Sequence, residues 1–577
     1  MKIFSFPRFR TGKSPEHKSM PNRMEVQVMR RVSLEKLVES ARRFNRVLLT
    51  SLVFTMGLTA SACAQSGEPV PASVPPALDL KAESGMLRVD LSWQPQGEKR
   101  RYEVQRAATA DGAWTTLPNP APEFRRFTDF IGEPGQRYFY RVRVLNSGKK
   151  ASPAGEWSEP VEAKTLPFDR DKLMADVQEK GVLFFVDLAH PVCGLAPEGA
   201  PGWITVSGEP LTAIGASGMG MANLIVGVER GFIPRKEGLD LALRMWRFLE
   251  AKTEKQMGAF GHWIDGRTGV NKEFAKTKAA DLVETAFLIQ GGILLREYFK
   301  GNTPEEKELR DIVNRVSAAV EWDKFMVEEK GGFVMMWHGP SETGPKMVPI
   351  RGFHEAMMPY ILGIASETHP IPPSSFYTGW MDPKRGLGEP RVDFGITHTL
   401  ERGVGWPLFF AHYSHIGFDP KQISYKDKTY FDHFVDACRI QQLYAKSRAG
   451  EFKGYDTLWG QAASLNPKGY RANEPGEKDD GTIATTAALS SMPYLPEAVL
   501  SCMESMYLDY GAKLWGPYGF YNAINPTQDW VGQKYIGIEL GPIAPMIENH
   551  RSGLLWKLFM QAPETERARR LIDAAKN

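Results

Sequence analysis

The stretch AADLVETAFLIQGG, Ala279 to Gly292, is apolar on nearly every side of a helix, yet it carries Asp281 and Glu284 one turn apart. Positions three apart share a helical face, so both carboxylates leave the segment in one direction. Moving a lone carboxylate into an apolar interior costs several kcal/mol or raises its pKa. From Ala279 to Leu295 these two are the only charged residues, and Thr285 extends them into one narrow polar stripe. Each acid also has a plain use, capping a helix or pairing with a buried Arg. A helix this apolar calls for burial among other helices, and in a barrel of paired helices such a stripe faces the central cavity.

The rest of the C-terminal part agrees. Helical periodicity runs through segments near 169–190, 209–230, 235–255, 278–300, 304–326, 352–366, 401–416, 427–448, 496–510 and 541–561, with Gly- and Pro-rich loops between them. Ten to twelve helices over residues 167–577 point to an all-α helical toroid, the (α/α)6 barrel. A solenoid would show a sequence period, and none is visible.

Residues 78–166 read differently. LRVDLSW, RYEVQRA, RRFTDF and QRYFYRVRVLN alternate apolar and polar residues between Gly, Pro and Asp turns, the pattern of a small all-β sandwich. Trp93 in an early strand, Tyr138 and Tyr140 in PGQRYFYRVRVLN, and the closing WSEPVEAKTL resemble a fibronectin type III module. Its expected role is that of a spacer or glycan-contacting module.

Ahead of it, basic ARRFNR, apolar VLLTSLVFTMGLTA and small-residue SACAQ follow one another as in an export signal, so residues 1–64 are excluded from the fold. Cleavage after Ala62 exposes Cys63 for lipid attachment, although Ala60 stands where Leu is usual. Cleavage after Ala64 fits the ordinary signal peptidase. Met24 and Met29 are alternative starts. Residues 65–77 are a Pro-rich linker. The expected location is the periplasm or cell surface.

The chain has 577 residues, with 71 basic against 68 acidic and a net charge of +3, which gives no field that would attract nucleic acid. Beyond Cys63 only Cys193, Cys438 and Cys502 remain, enough for one bridge at most.

Other constellations are read beside their plain alternatives. RGFHEAMMPYILGIA opens on His354 and Glu355, and an acid at a helix start also suits the dipole. Asp479 and Asp480 sit in a Gly-containing loop before a helix, where either can cap it. Eleven of the fourteen Trp lie beyond Asp169, among them Trp263, Trp337, Trp380, Trp406, Trp459, Trp515 and Trp530. Loop Trp and Tyr stack on the apolar faces of sugars. His412 and His415 are one turn apart, but no Cys or HExxH-like partner accompanies them, so no metal is expected. GASGMGMANL follows no strand and lacks a P-loop Lys, and no G-x-S-x-G elbow is present. Paired acids with aromatic loops suit glycoside hydrolysis, which needs one protonated and one ionised carboxyl.

LFFAHYSHIGFDP, GTIATTAALSSMPYLPE, KLWGPYGFYNAINP and GPIAPMIENHRSGLLWKLFM together resemble the glucoamylase-like domain of bacterial β-1,2-glucan-acting enzymes, glycoside hydrolase family 144. The resemblance runs from about Asp169 to Met560. It implies an (α/α)6 barrel with a central pocket, inverting hydrolysis of β-1,2-glucan in endo mode or in exo mode releasing sophorose, and no metal or other cofactor. By motif match it implies catalytic roles for Asp281, Glu284 and Glu355, with acid and base unassigned. Substrate contacts are expected from His354, His412, Trp459, Tyr470, Asp479, Trp515, Tyr521, Asn522, Glu539 and Arg551. Three places depart from the family: Leu465 and Asn522 stand where acids are usual, and Glu539 with Leu540 replaces Asp and Gln. Alternatives are a transglycosylase or hydrolase of another β-glucan on the same fold, and a non-catalytic glycan-binding surface lipoprotein. A monomer is expected.

Overall fold

The alternating segments form seven strands: Lys81–Gly85 (β1), Arg88–Ser92 (β2), Arg101–Ala107 (β3), Thr115–Thr116 (β4), Arg126–Phe130 (β5), Arg137–Leu145 (β6) and Val161–Lys164 (β7). They pair antiparallel in two sheets, β1-β2-β5 and β4-β3-β6-β7. Val89, Leu91, Trp93, Tyr102, Val104, Tyr140 and Val142 fill the space between the sheets. The computed structural model describes residues 78–96, 100–146, 153–202, 211–329, 332–339, 348–382, 387–400 and 406–576. The leader at 1–64 and the linker at 65–77 lie outside these residues.

From Arg170 the chain is mainly helical. Among the described residues ten helices reach eight residues: Arg170–Asp187 (α1), Ile214–Glu229 (α2), Arg235–Ala251 (α3), Leu282–Tyr298 (α4), Pro304–Ala318 (α5), Met358–Ala365 (α6), Tyr430–Ser447 (α7), Pro496–Leu508 (α8), Ile543–Arg551 (α9) and Pro563–Ala574 (α10). Their composition sorts them. The apolar α2, α4 and α6 are buried almost throughout, whereas α3, α5 and α10 bury one face and solvate the other. α2 lies along α4, α4 along α6, and α3 along α5. The Gly-rich start of α2 is what lets it approach α4 closely. A Cβ on Gly291 would stand 2.4 Å from the Gly218 carbonyl oxygen, so glycine is needed there.

Two expected helices differ. Of the segment expected at 401–416, the described residues 406–416 carry the 3-10 turn Leu408–Ala411 in place of a full helix. The segment expected at 541–561 breaks into α9 and the shorter Leu554–Met560, with Gly553 between them at φ +67°.

The sandwich is not a free spacer. Both faces of β2 are covered: Val89 and Leu91 enter the sandwich core, while Arg88 and Asp90 turn toward the helices. Arg88 is 1% exposed; its Nη2 lies 2.8 Å from Asp176 on α1 and its Nη1 donates to the Tyr507 hydroxyl at 2.6 Å. Asp90 receives Lys180 of α1 at 2.9 Å, Arg88 at 3.0 Å and Thr128 at 2.6 Å. Burial pushes the Asp90 carboxyl up, but Lys180 and Arg88 outweigh it and hold it well below the usual range. Arg125 and Arg126 both clasp Asp187 at 2.5 Å, and Met86, Leu87 and Phe124 join the core of the helical part. Sandwich and helices therefore share one continuous interior, and Pro76 to Asn577 forms one compact unit. Cys193, Cys438 and Cys502 are buried there as free thiols.

Shared burial of this kind predicts that sandwich and helices melt in one calorimetric transition. Arg88→Met strands the Asp176 charge and should cost about 3–5 kcal/mol, the usual range for breaking a buried pair, while leaving a single transition. A separate, earlier melting of the sandwich would contradict this.

Candidate active site

Asp281 is the residue before α4, and its backbone is extended at φ −106° and ψ 107°. Its Oδ1 accepts the amides of Val283 at 3.1 Å and Glu284 at 3.0 Å, so the plain capping role applies in full. Its Oδ2 is left for other work. His262 Nδ1 lies 2.8 Å from that oxygen and His338 Nε2 lies 3.6 Å from it. The cap is locked from outside the helix as well: the Asp281 amide donates to Phe260 O at 2.7 Å, and the Leu282 amide donates to Trp337 O at 2.8 Å. Thr285 Oγ1 accepts the Phe260 amide at 2.9 Å and donates to Asp281 O at 2.7 Å.

Glu284, 6% exposed, sits in the first turn of α4, and its Oε2 accepts the Gly215 amide of α2 at 2.6 Å. A Cβ on Gly215 would lie 2.3 Å from that oxygen, so only glycine allows the contact. Its other oxygen, Oε1, is 3.9 Å from His262 Nδ1. The three groups titrate against one another. Burial pushes Glu284 up, His262 opposes, Asp281 and Glu198 add to the rise, and the carboxyl settles at about 7. Burial also pushes Asp281 up, yet His262 and His338 hold it well below the usual carboxylate range. Burial pulls His262 down, but Glu284 and Asp281 raise it to about 9. At neutral pH the unit is an ionised Asp281, an imidazolium at His262 and a Glu284 poised between its two forms.

The remaining acids meet around Tyr413. Its buried phenol is raised well above the usual tyrosine value, by burial first and then by the charges of Glu539, Glu355, Glu284 and Glu198. Glu198 precedes the two-residue strand Gly199–Ala200, and its Oε2 accepts Trp263 Nε1 at 3.0 Å. Burial raises it, with His262 and Trp263 opposing. Glu539, 1% exposed, accepts hydrogen bonds from Asn522 Nδ2 and the Tyr470 hydroxyl; burial still pushes it up to about 8. Asn522 Oδ1 accepts the Leu465 amide at 2.7 Å, and Leu465 pairs with Tyr470 across a short hairpin. The departures at Leu465, Asn522 and Glu539 thus fall at one spot. Glu355 is half-buried, and the neighbouring His354 ring stacks on Trp337 with centroids 5.9 Å apart.

The structure thus brings together Asp281, Glu284, Glu355, Tyr470, Asn522 and Glu539, with His354 at the rim. It places others elsewhere. His412 is wholly buried, bonds Ser491 Oγ at 3.0 Å and is pulled down by burial to about 3. Trp459 donates to Ala498 O at 3.3 Å in the core. Trp515 lies under Arg88, 4.8 Å from guanidinium to ring, at the contact with the sandwich. Asp479 shapes its own loop, accepting from Tyr455 at 2.7 Å, Tyr444 at 3.1 Å and the Gly481 amide at 3.0 Å. Arg551 is exposed at the end of α9 and donates to Gln178 at 2.6 Å. Tyr521 packs on Tyr535, 5.0 Å between centroids, behind the Gly199–Ala200 strand. Of the tryptophans, Trp263 and Trp337 are half-buried beside the acids, while Trp380 and Trp406 are core.

Sequence reasoning missed Glu198, His262, His338 and Tyr413. His262 and His338 each adjoin a Trp read as a sugar platform, and Tyr413 stands between the two histidines weighed as metal ligands. Those neighbours were the available signal. Glu198, alone in a Pro- and Gly-rich loop, had none.

Comparison with known proteins identifies the family. The Glycoamylase family model, described as putative glucoamylase, matches residues 347–563. An exo β-1,2-glucooligosaccharide sophorohydrolase (non-reducing end) of Parabacteroides distasonis is 34% identical over 539 residues, covering 88% of this chain and 73% of its own. A crystal structure of β-1,2-glucanase from the same organism superposes with a TM-score of 0.80 at 32% identity, over 87% of this chain and 74% of that one. An endo-β-1,2-glucanase of Chitinophaga pinensis, solved with sophorotriose and glucose, gives 0.66 at 37% identity over 70% of this chain and 98% of that one. With a cluster of buried acids in a helical frame, and relatives of this identity and coverage, the chain belongs to the glucoamylase-like glycoside hydrolases of the family 144 type.

Proposed function

We propose that the protein hydrolyses β-1,2-glucan by inverting acid/base chemistry, with Glu284 as the proton donor. The observation that carries the assignment is the unlike state of the two acids on one helix turn. Asp281 is committed to two amides and His262 and stays ionised, whereas Glu284 is buried, accepts only one amide and holds a proton near neutral pH. Acids whose surroundings push their pKa values apart divide the roles of donor and base. Glu355, half-buried and felt by Tyr413 along with Glu284, is the partner carboxyl for activating water. In inverting enzymes that pair stands roughly 6.5–9.5 Å apart, which leaves room for the water. Trp263, Trp337 and His354 offer flat faces for glucose rings.

The α2, α4 and α6 segments, together with the 3-10 turn at 408–411, the short helix Thr485–Leu489 and the helical stretch 537–551 that includes α9, supply six apolar inner elements backed by amphipathic outer ones, which supports reading residues 167–577 as an (α/α)6 barrel. The strand order of residues 78–166 supports the fibronectin type III-like reading. Export through residues 1–64, lipid attachment at Cys63 and a monomeric state rest on the sequence alone.

The test is product analysis on β-1,2-glucan and its oligosaccharides. New reducing ends are expected, and sophorose as the sole early product marks exo action. Longer or cyclic products, or retention of glycan without turnover, would overturn the hydrolase reading. Glu284→Gln should lower kcat at least about a hundredfold, the lower end of general acid catalysis, with KM little changed. Because the donor must be protonated, kcat should fall as pH rises through about 7. Stability should fall with it: Glu284 and Glu539 have folded values near 7 and 8 against an ordinary 4.5, so their contribution is complete below about 4.5 and is lost as pH rises through the folded values. Melting temperatures from pH 5 to 9 check the sign.

A further inference from the structure

We propose that His262 is a positioning residue for Glu284: a ring fixed by Asp281 and Phe274 with its Nδ1 held beside the Glu284 carboxyl. The ring is held by several contacts. The ring stacks flat on Phe274, with centroids 3.5 Å apart and planes 3° from parallel. Trp263 meets it edge-on at 5.4 Å. Nδ1 points at Asp281 Oδ2 from 2.8 Å, and the same nitrogen lies 3.9 Å from Glu284 Oε1. The His262 carbonyl accepts the Ile214 amide at 3.2 Å, so the residue is tied to the start of α2, whose next amide holds the other oxygen of Glu284.

The charges that face this ring are Asp281 and Glu284 from α4 and Glu198 from the Gly199–Ala200 arm. His338 Nε2 approaches the same Asp281 oxygen at 3.6 Å and, with His262, holds that carboxyl below the usual range. Glu284, Asp281 and Glu198 outweigh the effect of burial, which is why His262 keeps its proton near neutral pH. An imidazolium within 4 Å favours the ionised form of Glu284, while burial, Asp281 and Glu198 favour the neutral one. His262 thus keeps the donor from being locked in its protonated state, so that it can release its proton during turnover and recover it afterwards. Asp281 acts through this ring, as a positioning residue rather than by touching the sugar.

The kinetic arm of the test rests on Glu284 being the donor; the spectroscopic arm does not. In wild-type protein with labelled histidine, the NMR signal of His262 should remain imidazolium beyond pH 8 and shift near pH 7 as Glu284 titrates. Titration near 6.5, as for an ordinary imidazole, would overturn the proposal. In His262→Gln, which keeps a donor to Asp281 without the charge, the alkaline limb of kcat should move up by about one pH unit or more with KM little changed. His262→Lys should return the limb toward its wild-type position. A limb that stays in place in a folded His262→Gln protein would equally overturn it. If that variant does not fold, the wild-type titration decides. Loss of all hydrolysis by the wild type, with the His262 signal behaving as expected, would count against the hydrolase reading and not against this one.

Discussion

Everything in the catalytic half depends on the approach of two helix starts. The amide of Gly215, in the first turn of α2, donates to the carboxyl of Glu284, in the first turn of α4. That contact needs a residue without a Cβ at 215, and the crossing of the two helices needs further glycines at 218 and 291. A helix N-terminus favours negative charge. Here it is set against burial and two neighbouring acids, so the carboxyl rests near the midpoint between its forms. The Gly-rich run GASGMGMANL, expected to follow no strand, in fact follows the short strand Leu211–Ala213, and its glycines serve this approach.

Much of the frame was legible in the sequence, and the reasons are specific. α4 could be read because its apolar residues fall on every side, which only a helix surrounded by others tolerates. The strands were readable from alternation, and β2 shows the limit of that signal. Arg88 and Asp90 occupy polar positions that alternation assigns to solvent, yet they are buried against α1, because charges of opposite sign on two surfaces can satisfy one another. Periodicity within one segment carries no information about such a partner some ninety residues away. Helix ends were readable only where turn chemistry was strong, and within 406–416 apolar periodicity suggested a helix where the chain makes a 3-10 turn.

The candidate site was legible where acids lay in apolar runs and illegible where they lay in loops. Asp281, Glu284 and Glu355 stood out for that reason. Glu198 and His262 sit in short strands and turns, and only tertiary packing brings them to the others. Tryptophan was a poor guide to the candidate site: Trp459 and Trp515 fill the core, where the size of the indole outweighs its flat face as a platform. His412, buried and neutral, shows the same for histidine. The contact of Phe124 with Tyr518, 5.3 Å between ring centroids, and the Gly202 amide held by Glu123 at 3.1 Å carry the sandwich to the edge of the arm that bears Glu198. The N-terminal part accordingly packs against the helical part beside that arm.

The central claim is that Glu284 faces the scissile bond from a helix start it shares with no other acid but Asp281. The most direct measurement is a crystal structure of Glu284→Gln with a β-1,2-linked oligosaccharide bound. The account predicts a glycosidic oxygen within about 3.2 Å of the residue 284 amide, the reach of a hydrogen bond, with Glu355 across the sugar and Asp281 still bound to His262. An oligosaccharide seated away from residue 284, or one that contacts Asp281 directly while His262 swings free, would contradict it.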